Sequence, residues 1–222
     1  MIKGILFDFN GTLFDDTHFH VAAWKEFAEK RANKFFTYEE VLMRFIGPSN
    51  EFTLRTLLGE GLTDEEIVYY SRKKEEDYRE MVRREHSSLQ LMDGAVEFLD
   101  YLKENNIPFA MATASEIENV TFYMEEIGMN RWFTMDRVVY DQGLLPNKPD
   151  PAFYIEAARR LGLDPSECMI IEDTRSGIQA AINAKAGRIL AIDRTTPMEL
   201  LQNYKEIHEI IHDFHGFQRF LV

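Results

Sequence analysis

Four short apolar runs, each with a helical pattern beside it, constrain this chain more than any other feature. Residues 5–7, 107–112, 169–171 and 189–192 read as strands with no polar alternation, and a strand apolar on both sides must be covered on both sides. The neighbouring segments supply that cover. Ala95, Phe98, Leu99 and Leu102 share one helical face, as do Ile117, Val120, Met124 and Ile127, and then Tyr154, Ala157, Ala158 and Leu161. Strands alternating with amphipathic helices predict an α/β fold, a doubly wound Rossmann-like parallel sheet. Ligands of such sheets collect at the carboxyl ends of the strands.

Residues 15–91 break the alternation: they read as helical throughout and rich in charge. His20, Ala23, Trp24, Phe27 and Ala28 form one stripe, and Thr37-Tyr38-Glu39-Glu40 and Thr63-Asp64-Glu65-Glu66 each have the form of a capping box. Segment 64–86, dense in Lys, Arg and Glu, predicts a solvent-facing helix. The economical organisation is a catalytic core of residues 1–14 and 92–222 with a helical cap, 15–91, inserted after the first strand. The crossings near 14–17 and 89–93 are the expected hinges.

Lys and Arg number 25 against 38 Asp and Glu, a net charge of −13. That balance argues against nucleic-acid binding, which needs clustered cations. Cys168 is the only cysteine, so an internal disulfide is excluded, and its apolar neighbours predict a buried, inert thiol. Acidic residues follow the first apolar run too soon for a signal peptide, and no run reaches membrane-spanning length, so the expectation is a cytoplasmic protein without a membrane partner.

Three of the predicted strands and one Pro-containing segment deliver distinctive groups. Asp8 follows the first and Thr113 the second, while Glu172-Asp173 follow the run at 169–171; Lys148 stands in Asn147-Lys148-Pro149-Asp150. Carboxylates for a hard cation, one ammonium, one hydroxyl and a Gly-containing loop make a coherent inventory for an oxygen-rich anion, and phosphate is the simplest. Thr113 has a second reading as a helix cap, and Ser115-Glu116-Ile117-Glu118 is itself a capping-box pattern.

In this order, Asp8-Phe9-Asn10-Gly11-Thr12-Leu13, Thr113, Lys148-Pro149 and Glu172-Asp173 resemble the four signature motifs of the haloacid dehalogenase superfamily, and the helical insert resembles the cap of its β-phosphoglucomutase-like branch. The resemblance implies a Mg²⁺-dependent phosphatase-like hydrolase of a small phosphorylated metabolite, working through an aspartyl-phosphate on Asp8. It implies Mg²⁺ at Asp8, the main-chain carbonyl of Asn10 and Asp173, with Glu172 either a ligand or a support. It assigns phosphate binding to Gly11, Thr12, Thr113, Ala114 and Lys148, and substrate contacts to His20 and Trp24. Lys74 falls near a substrate-contacting lysine of that branch, although its charged neighbours predict a solvated one.

Two positions depart from the family pattern. The residue two after the nucleophile is normally a second Asp that carries protons, and here it is Asn10, an amide that cannot. An engineered change, a substitute acid among Asp15, Asp16 and His20, or a phosphate binder with little turnover would each account for it. Asn50 stands where a phosphate-gripping Arg is expected, which favours a monophosphatase over a phosphoglucomutase-like transferase. Dehalogenase chemistry is a further alternative, disfavoured by Glu172-Asp173, since it needs no Mg²⁺.

Overall fold

A computed structural model describes residues 1–85 and 91–221. Contacts divide the chain into two compact units, Met1–Asp15 with Gln90–Val222, and Asp16–Leu89. His86 and the start of the expected crossing at 89–93 lie outside the described residues. The second unit holds α1 (Thr17–Phe27), α2 (Tyr38–Phe45), α3 (Asn50–Leu58) and α4 (Asp64–Arg84). The first holds α5 (Ala95–Glu104), α6 (Ile117–Glu125), α7 (Ala152–Arg160), α8 (Arg175–Asn183) and the short α9 (Met198–Leu201).

Among the described residues the first unit has six strands: β1 (Gly4–Phe7), β2 (Phe109–Glu116), β3 (Val138–Asp141), β4 (Cys168–Glu172), β5 (Arg188–Ile192) and β6 (Glu209–Ile211). They form one sheet in the order β3-β2-β1-β4-β5-β6, with every neighbouring pair parallel. Side-chain alternation along the strands builds two cores. Leu6, Ala110, Ala112, Ile170 and Ile189 join Tyr154, Ala157 and Ala158 of α7 and Ala180 and Ala181 of α8 in one buried cluster. Phe7 takes the other side, where its ring meets Phe98 of α5, Phe109 and Phe214 edge-on, with centroids 5.8, 6.5 and 6.2 Å away. Burying a side chain such as Phe7 contributes about 1.5–3 kcal/mol relative to leaving it in water. The doubly wound arrangement therefore follows from the unbroken apolarity of the strands.

Several local expectations need correction. Strands β3 and β6 escaped the sequence reading, because each is short and only partly buried. Thr113 lies inside the span of β2 rather than beyond it, where the pairing with β3 shifts register between Ala112 and Glu116. Ile117 is exposed, while Val120 and Met124 of the same stripe are buried. The cap of α6 is Glu116 with no side-chain hydrogen bond, so the Ser115 capping box does not form.

Cys168 is fully buried, and burial, with Glu167 and Asp164 adding to it, pushes its thiol up to about 12. The native protein should therefore resist iodoacetamide at pH 8 and take up one adduct per chain once urea unfolds it, a difference that intact mass reads directly.

In the second unit both Thr-x-x-Glu boxes close: Thr37 caps α2 with Glu40 answering, and Thr63 caps α4 with Glu66 answering. Val21, Trp24, Phe27, Ala28, Val41, Phe45, Leu54 and Leu57 form its core. Helix α4 is not simply solvent-facing. Ser71, Lys74, Glu75, Tyr78 and Val82, at helical spacing, make a buried face, and Lys74 is only 2% exposed. No helix among the described residues is long and apolar enough to cross a membrane.

Candidate active site

Asp8 is the first residue past β1, and Glu172 closes β4. The two strands pair directly, Phe7 opposite Ile171, so the next residue of each comes side by side. Lys148, in the segment between β3 and α7, reaches both. Its Nζ donates to Asp8 Oδ1 at 2.6 Å and Glu172 Oε1 at 2.7 Å, and its third N–H has Tyr154 Oη at 3.1 Å and the Ala112 carbonyl at 3.2 Å within reach. One ammonium thus ties together β1, β2 and β4. Burial alone would depress its pKa, but the carboxylates of Asp8 and Glu172 outweigh that and hold it raised.

Glu172 is fully buried and its lone pairs are heavily used. Oε1 accepts from Lys148 and from Tyr154 Oη at 3.0 Å; Oε2 accepts from the N–H groups of Asp173 and Thr174 at 2.8 and 2.7 Å and from the Thr174 hydroxyl at 2.9 Å. Burial, then the Glu172 and Asp8 charges, raise the Tyr154 phenol well above its usual pKa, so it stays a donor. The carboxylate packs against the first turn of α8, where a Cβ on Gly177 would overlap it. Gly177→Ala should accordingly cost about 1–3 kcal/mol through overpacking, in spite of a gain of about 1 kcal/mol in helix propensity. Urea denaturation checks this, and a net gain in stability would show that Glu172 can give way.

Asp173 is also fully buried, accepting from Thr12 Oγ1 at 3.1 Å and from the Thr195 hydroxyl. Burial first, then the neighbouring Glu172 and Asp8, push its carboxyl well above the usual range. Ligand oxygens of Asp8, Glu172 and Asp173 all lie within 4.8 Å of one another. Three buried, all-oxygen carboxyl groups whose mutual repulsion is only partly met by one ammonium suit a hard divalent cation, so the family's Mg²⁺ fits the residues present.

The loop after Asp8 is tightly wound around Gly11, whose φ of +75° favours a residue without a Cβ. The N–H groups of Gly11 and Thr12, expected to face phosphate, instead donate within the loop, to Phe14 O at 2.8 Å and Phe9 O at 3.2 Å. The local turn needs them to satisfy its own backbone. Thr12 joins the site through its hydroxyl. Ala114 is exposed near the end of β2.

Asn10 lies among hydroxyls. Its Nδ2 donates to Tyr123 Oη at 2.9 Å, Ser115 Oγ donates to its Oδ1 at 3.0 Å, and Thr113 Oγ1 stands 3.5 Å from the same oxygen. Ser115 and Tyr123 are 3.2 Å apart. Ser115 is therefore committed to Asn10, which explains why it does not cap α6.

His20 and Trp24 belong to the second unit and gather around Lys74. The Lys74 ammonium lies 2.8 Å from His20 Nδ1, 3.0 Å from Glu75 Oε1 and 5.1 Å from the Trp24 ring centre. Tyr78 stacks on His20 at 3.9 Å and donates to Asp16. Lys74 is thus held by partners from α1 and its own helix, which is why it is buried and not solvated.

Sequence reasoning missed Tyr154, Thr195, Tyr123 and Gly177. Thr195 was open to discovery, since it follows the run at 189–192 on the same rim as Asp8 and Asp173. Tyr154 sits on an apolar stripe, and nothing in that pattern marks its hydroxyl. Tyr123 acquires meaning only through Asn10, far away in sequence, and Gly177 only once the turn into α8 brings it against the Glu172 carboxylate.

The model of the haloacid dehalogenase-like hydrolase family matches residues 2–185, and the chain belongs to that family. It is 28% identical over 188 residues to the β-phosphoglucomutase of Bacillus subtilis, covering 82% of this chain and 80% of that protein. To the phosphorylated carbohydrates phosphatase of Thermotoga maritima it is 25% identical over 191 residues, covering 86% and 85%. Among solved structures, a HAD hydrolase of family IA, variant 3, from Entamoeba histolytica superposes with a TM-score of 0.88 at 32% identity, covering 96% of this chain and 94% of that one.

Proposed function

We propose that the chain is a Mg²⁺-dependent phosphohydrolase of a small phosphorylated metabolite, with Asp8 as nucleophile. The observation that carries the reading is the junction of β1 and β4, where Asp8, Glu172 and Asp173 crowd together and Lys148 binds two of them. Asp8 attacks phosphorus and forms an aspartyl-phosphate, which water then cleaves. Lys148 keeps the nucleophile oriented and offers positive charge to the transferring group. Thr113 supplies a hydroxyl to the same oxygens. Asp8, Asp173 and the Asn10 carbonyl would hold Mg²⁺, with Glu172, whose oxygens already accept five hydrogen bonds, fixing Lys148 and the start of α8 behind them. Bound there, the cation supplies charge that lets a carboxylate approach a phosphate.

Carbohydrate phosphates, given the named action of the Thermotoga relative, and p-nitrophenyl phosphate, whose leaving oxygen is far less basic, are the two kinds of substrate to screen side by side. A single phosphate per substrate suits Asn50, which donates to Glu75 Oε1 at 3.0 Å and offers no charged clamp. Release of inorganic phosphate from a panel of sugar monophosphates and p-nitrophenyl phosphate, present with Mg²⁺ and lost in EDTA, tests the reading; no release from any of them overturns it. A binder with little turnover is the second reading, and Asn10 is the observation that favours it.

A further inference from the structure

We infer that this hydrolase selects substrates by leaving group, acting on aryl, enol and acyl phosphates, whose leaving oxygen departs without a proton from the protein, in preference to alkyl phosphates. The inference rests on the phosphohydrolase reading above and narrows its substrate class.

Asn10 is built into its surroundings as an amide. Its Nδ2–H donates to Tyr123 Oη at 2.9 Å and the Ser115 hydroxyl donates to its Oδ1 at 3.0 Å; the Ser115 and Tyr123 oxygens are 3.2 Å apart, and with the Ser115 proton on Asn10 the Tyr123 hydroxyl is the donor left for that link. In this closed ring each residue gives one hydrogen bond and takes one. A carboxylate at position 10 can only accept, so both hydroxyls would have to turn to it and the link between them would be lost. The ring matches the amide, and it fastens the nucleophile loop to β2 and α6.

The three groups named as possible substitutes, two carboxyls and one imidazole, have other partners. Asp15 is paired with Arg194 at 3.7 Å. Asp16 accepts from Tyr78, and the Nδ1 of His20 is 2.8 Å from the Lys74 ammonium. Asp8, Glu172 and Asp173 serve Lys148 and the hydroxyls of Tyr154, Thr12, Thr174 and Thr195.

The chemistry that remains is balanced without an acid. An Asp8 oxygen forms a bond to phosphorus as the bond to the leaving oxygen breaks; that oxygen keeps the electron pair and leaves as a carboxylate, enolate or phenolate. Water then attacks the aspartyl-phosphate, the P–O bond to Asp8 breaks, and the proton of the water goes to solvent. A carboxylate leaving group has a conjugate-acid pKa of about 4 and a phenolate about 10, so both tolerate departure as anions. An alkoxide is far more basic and depends on general-acid help, which contributes roughly 10²–10⁴-fold.

Benzoyl, phenyl and cyclohexyl phosphate share a six-membered ring and differ mainly in the basicity of the leaving oxygen. For the wild-type chain with Mg²⁺, kcat/KM should fall from benzoyl to phenyl to cyclohexyl phosphate, the last step by about 10²-fold or more. Asn10→Asp should raise the cyclohexyl rate at least tenfold more than the benzoyl rate. Tyr123→Phe should leave the ratios between substrates as they are. Cyclohexyl phosphate turned over as well as phenyl phosphate by the wild type would overturn the inference. So would an equal response of all three substrates to Asn10→Asp, or a steeper fall in Tyr123→Phe, which would make the ring a proton carrier. Loss of activity toward none of the three in Asp8→Asn would instead sink the phosphohydrolase reading itself.

Discussion

Replacing Asp8 by Asn should lower phosphate release by about 10³-fold or more while leaving the chain folded. The substitution keeps the shape of the side chain and an oxygen for the Lys148 ammonium, now 2.6 Å from Asp8 Oδ1, but removes the charge that the proposed attack on phosphorus requires. Packing should be spared, since Asp8 stands at the end of β1 with its own N–H bonded to Ile171 O at 3.0 Å. Colorimetric phosphate assay and circular dichroism on the same samples separate the two effects. A folded variant within tenfold of the wild-type rate would remove Asp8 from the reaction.

Lys148→Met should be strongly destabilising to the first unit. It strips the ammonium from two buried carboxylates, and breaking a buried ion pair by removing one partner costs about 3–5 kcal/mol, because the stranded charge has no solvent to return to. Here the stranded groups are Asp8 and the fully buried Glu172, with Asp173 adding repulsion. Tyr154 still donates to Glu172 and softens the loss. Guanidinium unfolding gives the number, and adding Glu172→Gln to Lys148→Met should restore part of it by removing one uncompensated charge. If the double variant is the sum of two losses, the ion pair is not what the lysine contributes.

Much of this site was legible because a parallel sheet converts sequence order into place. Asp8 and Glu172-Asp173 each end an apolar run, and the pairing of β1 with β4 is enough to bring them together. What escaped had its meaning in partners supplied by other elements. Lys74 sits among charged residues and reads as solvated until α1 provides His20 and Trp24. Strand β6 holds its place by pairing with β5, not by its own composition. At Gly11 and Thr12, which the family resemblance assigns to phosphate, the backbone N–H groups donate within the loop, since a turn wound that tightly first satisfies itself.

The sheet order places β1 in the middle, laddered on one side by β2 and on the other by β4, with β3 and β6 at the margins. Local opening starts at margins and loops, while interior strands yield only with the whole cooperative unit. Under mild denaturant, amide protons of Leu6 and Phe7 should thus be among the last to exchange, and fraying at residues 209–211 should leave catalysis untouched. In a destabilised variant, catalysis should therefore be lost with the opening of the first unit's interior strands and not with fraying at its margins.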